Sequence, residues 1–315
     1  MNEPDIMVYL MTGFLDSGKT QFLTFTLKQD YFQIDGKTLL ILCEEGEEEY
    51  DPMEMLKYGV VIEKVEDQDD LTEEWLEEMN KKHEPERVVV EYNGMWKVSD
   101  FENKKLPAGW GIEQKITTVD ASTFQMYLTN LKPLFVEMVR GADMVLFNRC
   151  EDIKPLAGYR RSVKVVSPQA EVIFEDEEGE IENIFEDEVP YDLKAPVIEI
   201  AKEDYGIWYV DMMENPDRYK GKVVEYTAKV LKPRTFPAKV FMAGRMAMTC
   251  CADDTSFLGY VCRSAYAPKL KPGQWVKIRA KIRFANLAVY RGEGPVLEAE
   301  HIELAEPIEE LVYFN

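Results

Sequence analysis

The sequence predicts an α/β domain built on a mostly parallel sheet, followed by a smaller β-barrel. Three observations carry this. Short apolar runs with little alternation recur through the first 150 residues, separated by helical patterns, which is how a parallel sheet covered on both faces reads. A glycine-containing loop, GFLDSGKT at residues 13–20, directly follows the first run. Beyond residue 220 five strand-like runs crowd together with turns between some of them, the pattern of a small closed barrel.

The elements follow in order. IMVYLM (6–11) reads as a buried strand, and a helix runs from about Thr20 to Gln29. TLLILC (38–43) is a second buried strand. LTEEWLEEMNKKH (71–83) is an amphipathic helix with acids in its first turn and bases in its last, as the helix dipole favours. RVVVEY (87–92), KITTVD (115–120) and DMVLFN (143–148) are strands, and residues 121–141 read as one helix containing Pro133. Residues 171–192 hold eleven acids and no base. A turn at EDEEGE separates VIF from IENIF, so a short hairpin is expected there, then a solvated acidic connection. Pro190 and Pro196 mark a linker. DYGIWYVDMMENPDRY (204–219) reads as one helix ended at Asn215–Pro216. KVVEYTAKVL, AKVFMAGRMAMTCC, FLGYVCRS, QWVKIRAKIRF and PVLEAEHIEL are strands, with turns at TSF and KPG. The expected organisation is a nucleotide-binding domain over 1–188, a linker over 189–203 and an OB-like barrel over 204–315.

Charge bounds the partners. The chain has 315 residues and a formal net charge of -22. Residues 201–315 hold 17 Lys/Arg against 15 Asp/Glu, so of the totals of 37 and 59 the first 200 residues hold 20 and 44. A strongly acidic first part repels polyanions, which argues against nucleic acid and anionic membrane as partners. It suits divalent cations and basic protein surfaces. There is no apolar run long enough to span a bilayer and no signal-peptide pattern at the N-terminus. Together with five cysteines, an odd number, this points to free thiols in a reducing compartment and to a cytoplasmic protein.

The loop at 13–20 matches G-x-x-x-x-G-K-[ST] through Gly13, Gly18, Lys19 and Thr20. Each residue type has a physical reason. Glycines let backbone N–H groups turn inward around phosphates, the lysine ammonium reaches the outer phosphates, and the threonine hydroxyl ligates Mg²⁺. The helix that opens there adds its positive end. Asp16, Ser17 and Gln21 complete the expected phosphate-binding stretch. Asp16 is the oddity: aspartate tolerates positive φ better than most residues, but a carboxylate beside a polyphosphate repels it. Either it points outward, or Mg²⁺ offsets it, or binding is weaker for it.

GFLDSGKT resembles the loop of CobW-type GTPases, metal-handling relatives of the hydrogenase and urease nickel-insertion GTPases, which typically read GFLGSGKT. Further stretches agree in order. In LILCEEGE (40–47), Glu44 and Gly46 match the family's Asn-Glu-x-Gly, and Cys43 replaces the Asn. In VVVEYNG (88–94), Glu91 and Gly94 match Glu-Thr-x-Gly, and Tyr92 replaces the Thr. VLFNRCED (145–152) aligns Asn148-Arg149-Cys150-Glu151 with the guanine-reading Asn-Lys-x-Asp. SPQAEVIF (167–174) is similar to the closing Asn-Pro-x-Ala strand. The resemblance implies a P-loop NTPase that binds and slowly hydrolyses GTP. Lys19, Glu91 and Gly94 are its catalytic candidates, with Glu91 holding Mg²⁺ and Gly94 sensing the terminal phosphate. Thr20, Glu91 and Glu44 are the Mg²⁺ candidates. Asn148, Arg149 and Glu151 would read the base, or Asp152 after a one-residue shift. Asp120 is a structural acid near the site. Glu44, Glu45 and Glu47–Glu49 fall where a mobile switch would sit, and the cluster reads equally as a solvated acidic loop.

CobW-type proteins commonly carry Cys-x-Cys-Cys after the second strand; residues 48–75 here contain neither cysteine nor histidine. Cys43 is a substitute candidate. Cys250 and Cys251, with Cys262 across an expected hairpin, are candidates for a soft cation such as Zn²⁺, although adjacent strand residues face opposite sides. Asp253, Asp254 and His301 are further donors. The second domain also resembles YcgQ-like bacterial proteins through Tyr219, Gly221, Lys222, Thr249–Asp253, Trp275, Val276, Pro307 and Tyr313. Those occur beside a predicted membrane permease. The two resemblances imply a GTPase acting in metal homeostasis or delivery to a metalloprotein client, or a nucleotide-dependent regulator of a permease that handles no metal.

Overall fold

The computed structural model describes residues 4–151, 153, 156–181, 189–248, 255–290 and 292–312. The apolar runs of the first part form β1 (Ile6–Thr12), β2 (Thr38–Leu42), β3 (Val60–Lys64), β4 (Arg87–Glu91), β5 (Trp110–Asp120), β6 (Met144–Asn148), β7 (Glu171–Asp176) and β8 (Gly179–Glu180). They make one sheet in the order β3-β2-β4-β1-β5-β6-β7-β8. Every pairing is parallel except β7–β8, the expected acidic hairpin. The IENIF half of that hairpin lies mostly outside the described residues. β2 and β4 are buried at every position, which explains why they read as continuous apolar runs and not as alternation.

The helices are α1 (Lys19–Leu27), α2 (Pro52–Leu56), α3 (Glu73–His83), α4 (Val98–Glu102), α5 (Phe124–Asn130), α6 (Lys132–Val139), α7 (Leu156–Val166) and α8 (Tyr205–Glu214). On α1, Leu23 and Leu27 lie one turn apart and pack with Met11, Leu40, Met55 and Val89. α3 starts where the sequence says, with the Thr72 hydroxyl accepting the Trp75 N–H. The single helix expected over 121–141 is two: α5 ends before Leu131, and Pro133 sits in the first turn of α6, where its missing N–H costs nothing. β3, α2, α4 and α7 were not anticipated.

The chain divides into two compact units, residues 1–156 with 166–184, and residues 157–165 with 185–315. The second unit holds β9 (Ile198–Glu199), β10 (Val223–Leu231), β11 (Val240–Met248), β12 (Thr255–Arg263), β13 (Trp275–Leu287) and β14 (Gly292–Leu304). β10 pairs with β11 on one side and β13 on the other, so the five strands β10-β11-β12-β14-β13 close into a ring. Only β12–β14 is parallel within that ring. Thr255–Phe257, expected as a turn, is the start of β12 and is paired with Met246–Met248. Residues 189–203 are not a free tether: Ile198 and Glu199 pair with β10, and Tyr191, Ile198 and Ile200 are buried in this unit's core. The helix expected from residue 204 ends at Glu214 with Asn215 as its C-cap, where Asn215–Pro216 was expected to stop it, and Pro216–Arg218 forms a 3₁₀ turn. Among the described residues no helix is long and apolar enough to cross a membrane.

The barrel core is aromatic. α8 supplies Tyr205 and Trp208, which meet Tyr226 and Tyr260 with ring centroids 4.7 to 5.9 Å apart. Tyr205 and Tyr226 donate to the carbonyls of Leu258 and Ala243, at 2.9 and 3.2 Å, so their hydroxyls are not orphaned by burial. Trp208 is 0 % exposed. Trp208→Ala should therefore destabilise the second unit by about 3–5 kcal/mol. Urea unfolding monitored by circular dichroism would measure it, and a loss below about 1 kcal/mol would contradict this core.

Candidate functional site

The order β2-β4-β1-β5-β6 brings the carboxyl ends of five strands together, where open parallel sheets bind ligands. The 13–20 loop follows β1, Glu44 follows β2, Glu91 ends β4, Asp120 ends β5 and Asn148 ends β6. A small cleft of about 80 Å³ lies among Lys19, Thr20, Gln21, Glu44, Glu48 and Glu91.

Glycine is required at two positions here. Gly18 has φ 91°, and a Cβ on it would lie 2.5 Å from Asn148 Nδ2. A Cβ on Gly94 would lie 2.4 Å from the Gly13 carbonyl oxygen, so this glycine lets the strand-β4 turn close against the loop. Gly18 caps α1 without any side-chain hydrogen bond. The first N–H groups of a helix have no intrahelical acceptors, and here no side chain caps them, which is the arrangement that takes an anion.

Lys19 is 3 % exposed. Its ammonium donates to the carbonyls of Gly13 and Phe14, at 3.0 and 2.9 Å, and is ion-paired with Glu44 Oε1. Glu44 Oε2 accepts the N–H of Gly94 at 3.2 Å. Thr20 Oγ1 donates to Glu91 Oε1 at 2.7 Å, and the Tyr50 hydroxyl donates to Glu91 Oε2. Burial pushes the Glu91 carboxyl above the usual carboxylate range, against the hydrogen bonds from Tyr50 and Thr20 and the charge of Lys19. A threonine hydroxyl and a carboxylate converging beside a phosphate loop are hard oxygen donors, the set that Mg²⁺ takes.

Asp16 has φ 58°. Its carboxylate Oδ1 accepts the Glu47 N–H at 3.2 Å, so it faces the acidic loop and fastens that loop to the phosphate loop. Ser17 turns its hydroxyl to Thr118 Oγ1, 2.9 Å away, and Gln21 lines the cleft. Asn148 Nδ2 donates to the Ser17 carbonyl at 2.9 Å, whereas its buried Oδ1 has no partner. Arg149, at φ 55°, donates to the Asp16 carbonyl at 3.0 Å and pairs with Asp120. Burial alone would raise the Asp120 carboxyl, but hydrogen bonds from Ser122 and Arg149 hold it below its usual range. Glu151 is in an exposed turn, and Asp152 lies outside the described residues.

The site brings together Lys19, Thr20, Glu44, Glu91 and Gly94. Among the described residues it brings no cysteine to them as a ligand. Cys43 is buried, and burial with the nearby Glu91 and Glu44 charges pushes its thiol far up, so it is a neutral core thiol. Cys262, the described member of the Cys250, Cys251 and Cys262 set, lies in the barrel core, and burial pushes its thiol up as well. Cys250, Cys251, Asp253 and Asp254 lie outside the described residues. Among the described residues no group of three or more His, Cys, Asp or Glu side chains is disposed to hold a metal ion. Tyr50 was missed. Its signal was Asp51-Pro52, an N-cap with proline at the first helical position, which starts α2 and sets Tyr50 just ahead of it.

The sequence family described as CobW/HypB/UreG, nucleotide-binding domain, matches residues 7–174. The DUF1980 C-terminal domain matches residues 177–314. No curated protein sequence matches the chain. Among solved structures, the Zn(II)-bound YjiA GTPase from E. coli is 19 % identical with a TM-score of 0.43, covering 82 % of this chain and 89 % of that one. The hydrogenase maturation factor HypB from Archaeoglobus fulgidus is 17 % identical with a TM-score of 0.39, covering 55 % and 82 %. HypB from Helicobacter pylori in complex with nickel is 11 % identical with a TM-score of 0.34, covering 55 % and 79 %.

The fastening role of Asp16 has a direct test. Asp16→Gly keeps the positive φ accessible and removes the acceptor of the Glu47 N–H. Amide hydrogen exchange at Glu47 should quicken by about tenfold with the α1 amides unchanged. An unaltered rate at Glu47 would sink the assignment.

Proposed function

Because the chain belongs to the CobW/HypB/UreG nucleotide-binding family, we propose that it is a GTP-binding protein with slow, Mg²⁺-dependent hydrolysis. The observation that carries this is the uncapped start of α1 with the Lys19 ammonium beside it and the Thr20–Glu91 pair next to both. The helix end and Lys19 offset the charge of the outer phosphates. Thr20 and Glu91 are the residues that would hold Mg²⁺, which neutralises phosphate charge as it builds up in phosphoryl transfer. The Gly94 N–H would meet a terminal phosphate, a role supported by its present donation to an anionic oxygen beside Lys19. Asn148 braces the loop through Ser17, and its free Oδ1 is an acceptor for a ligand donor. Glu151 would take the guanine N–H groups. Among the described residues this reading assigns no dedicated base for water, so slow unaided turnover is expected.

In this reading the protein is cytoplasmic and acts in metal-ion homeostasis or delivery, with the OB-like barrel meeting a metal ion, a metalloprotein client or a membrane permease. Its soft-metal candidates are Cys250 and Cys251. Zinc content of protein purified without chelator measures this, with loss expected in the Cys250→Ser, Cys251→Ser double variant. Zinc-free protein would favour a nucleotide-dependent regulator of a permease instead.

Calorimetric titration of the full chain tests the nucleotide reading. GTP should bind in the micromolar range with Mg²⁺ and more weakly on chelation, and ATP should bind at least about tenfold more weakly than GTP. Thr20→Ala should remove the Mg²⁺ dependence. Failure of both nucleotides to bind below about 1 mM would overturn the proposal.

A further inference from the structure

Glu44 is held as an anion in the cleft. One carboxylate oxygen is ion-paired with Lys19 and the other accepts the Gly94 N–H at 3.2 Å. These are two of the groups that the nucleotide reading gives to the outermost phosphate. A carboxylate bridging an ammonium and a backbone N–H has the charge and the oxygen spacing of one edge of a phosphate. The Glu44 and Lys19 side chains are 8 % and 3 % exposed, so the pair is largely out of water, where losing either partner is costly.

The backbone that carries Glu44 is fixed on both sides. The Cys43 N–H donates to the Glu91 carbonyl at 2.9 Å, and the Cys43 carbonyl accepts from Asn93 Nδ2 at 3.3 Å. Three residues beyond Glu44, the Glu47 N–H donates to Asp16. The contact is therefore anchored from β2, from the β4 turn and from the phosphate loop itself.

We propose that Glu44 occupies the terminal-phosphate position of the nucleotide-free protein and sets its preference between nucleoside diphosphate and triphosphate. The proposal rests on the cleft being a nucleotide site. A diphosphate uses the helix end and the inner face of the loop and leaves Glu44 on Lys19 and Gly94. A triphosphate must displace the carboxylate from both. Because Cys43 and Asp16 hold the backbone on either side of Glu44, the carboxylate leaves by turning its side chain. Glu44 thereby handicaps the triphosphate selectively.

The test is calorimetric titration of the full chain with GDP and with the β,γ-imido analogue of GTP, both with Mg²⁺, in the wild-type protein, Glu44→Gln and Glu44→Ala. Gln keeps the shape and removes the charge, and Lys19 retains its two backbone acceptors. The expected result is that both variants bind the analogue about tenfold more tightly while GDP affinity changes less than about twofold. Equal changes for both nucleotides, or weaker analogue binding in Glu44→Gln, would overturn the proposal and leave the nucleotide reading standing. A wild-type chain that binds neither nucleotide would overturn the nucleotide reading, and this proposal with it.

Discussion

A desolvated ammonium cannot stand alone, and Lys19 is the group around which the site is arranged. At 3 % exposure it has given up most of its water, and an unpaired buried cation is several kcal/mol too costly to keep. Two carbonyls of its own loop satisfy it in part, but carbonyls carry no net charge. Glu44 supplies the charge. That requirement explains why an acidic loop sits beside an anion-binding helix end in a chain that is already acidic. The loop that follows β2 must deliver a carboxylate to the end of β1, which the neighbouring order β2-β4-β1 permits.

The same requirement accounts for Asp16. Its positive φ is one that aspartate tolerates and that the loop needs, and its side chain is turned to the Glu47 N–H, away from Lys19. A glycine there would satisfy the backbone and lose the tie. The carboxylate that looked incompatible with phosphate is thus spent on the acidic loop, and the carboxylate that pairs with Lys19 is Glu44.

The sheet was legible because burial on both faces writes itself as unbroken apolar runs: β1, β2, β4 and β6 are found within a residue or two of their expected bounds. The loop was legible because its spacing is dictated by phosphate geometry. What escaped has physical reasons. β3 is an edge strand, half-buried over Val61–Glu63, so its pattern is neither continuous nor alternating. α2 is five residues long, too short for helical periodicity to register. Pro190 and Pro196 read as a linker, yet prolines also suit an irregular segment packed against a barrel, and Tyr191 and Ile198 were the apolar residues that marked it as packed. The roles of Asn148 and Arg149 as braces of the loop, through Ser17 and Asp16, depend on contacts more than 130 residues apart in sequence. Nothing in local pattern encodes them.

The cysteines separate placement from chemistry. A thiol ligates a soft cation as thiolate, so a ligand cysteine needs a neighbourhood that favours negative charge. Cys43 has Glu91 and Glu44 for neighbours, and Cys262 sits among apolar side chains with Glu298 the nearest charge acting on it. Both surroundings favour the neutral thiol. Burial also raises Cys150, to about 12, so the three described cysteines share one electrostatic character that the sequence, which lists only spacing, does not carry. The acidic cleft accordingly offers oxygen donors and the ammonium of Lys19.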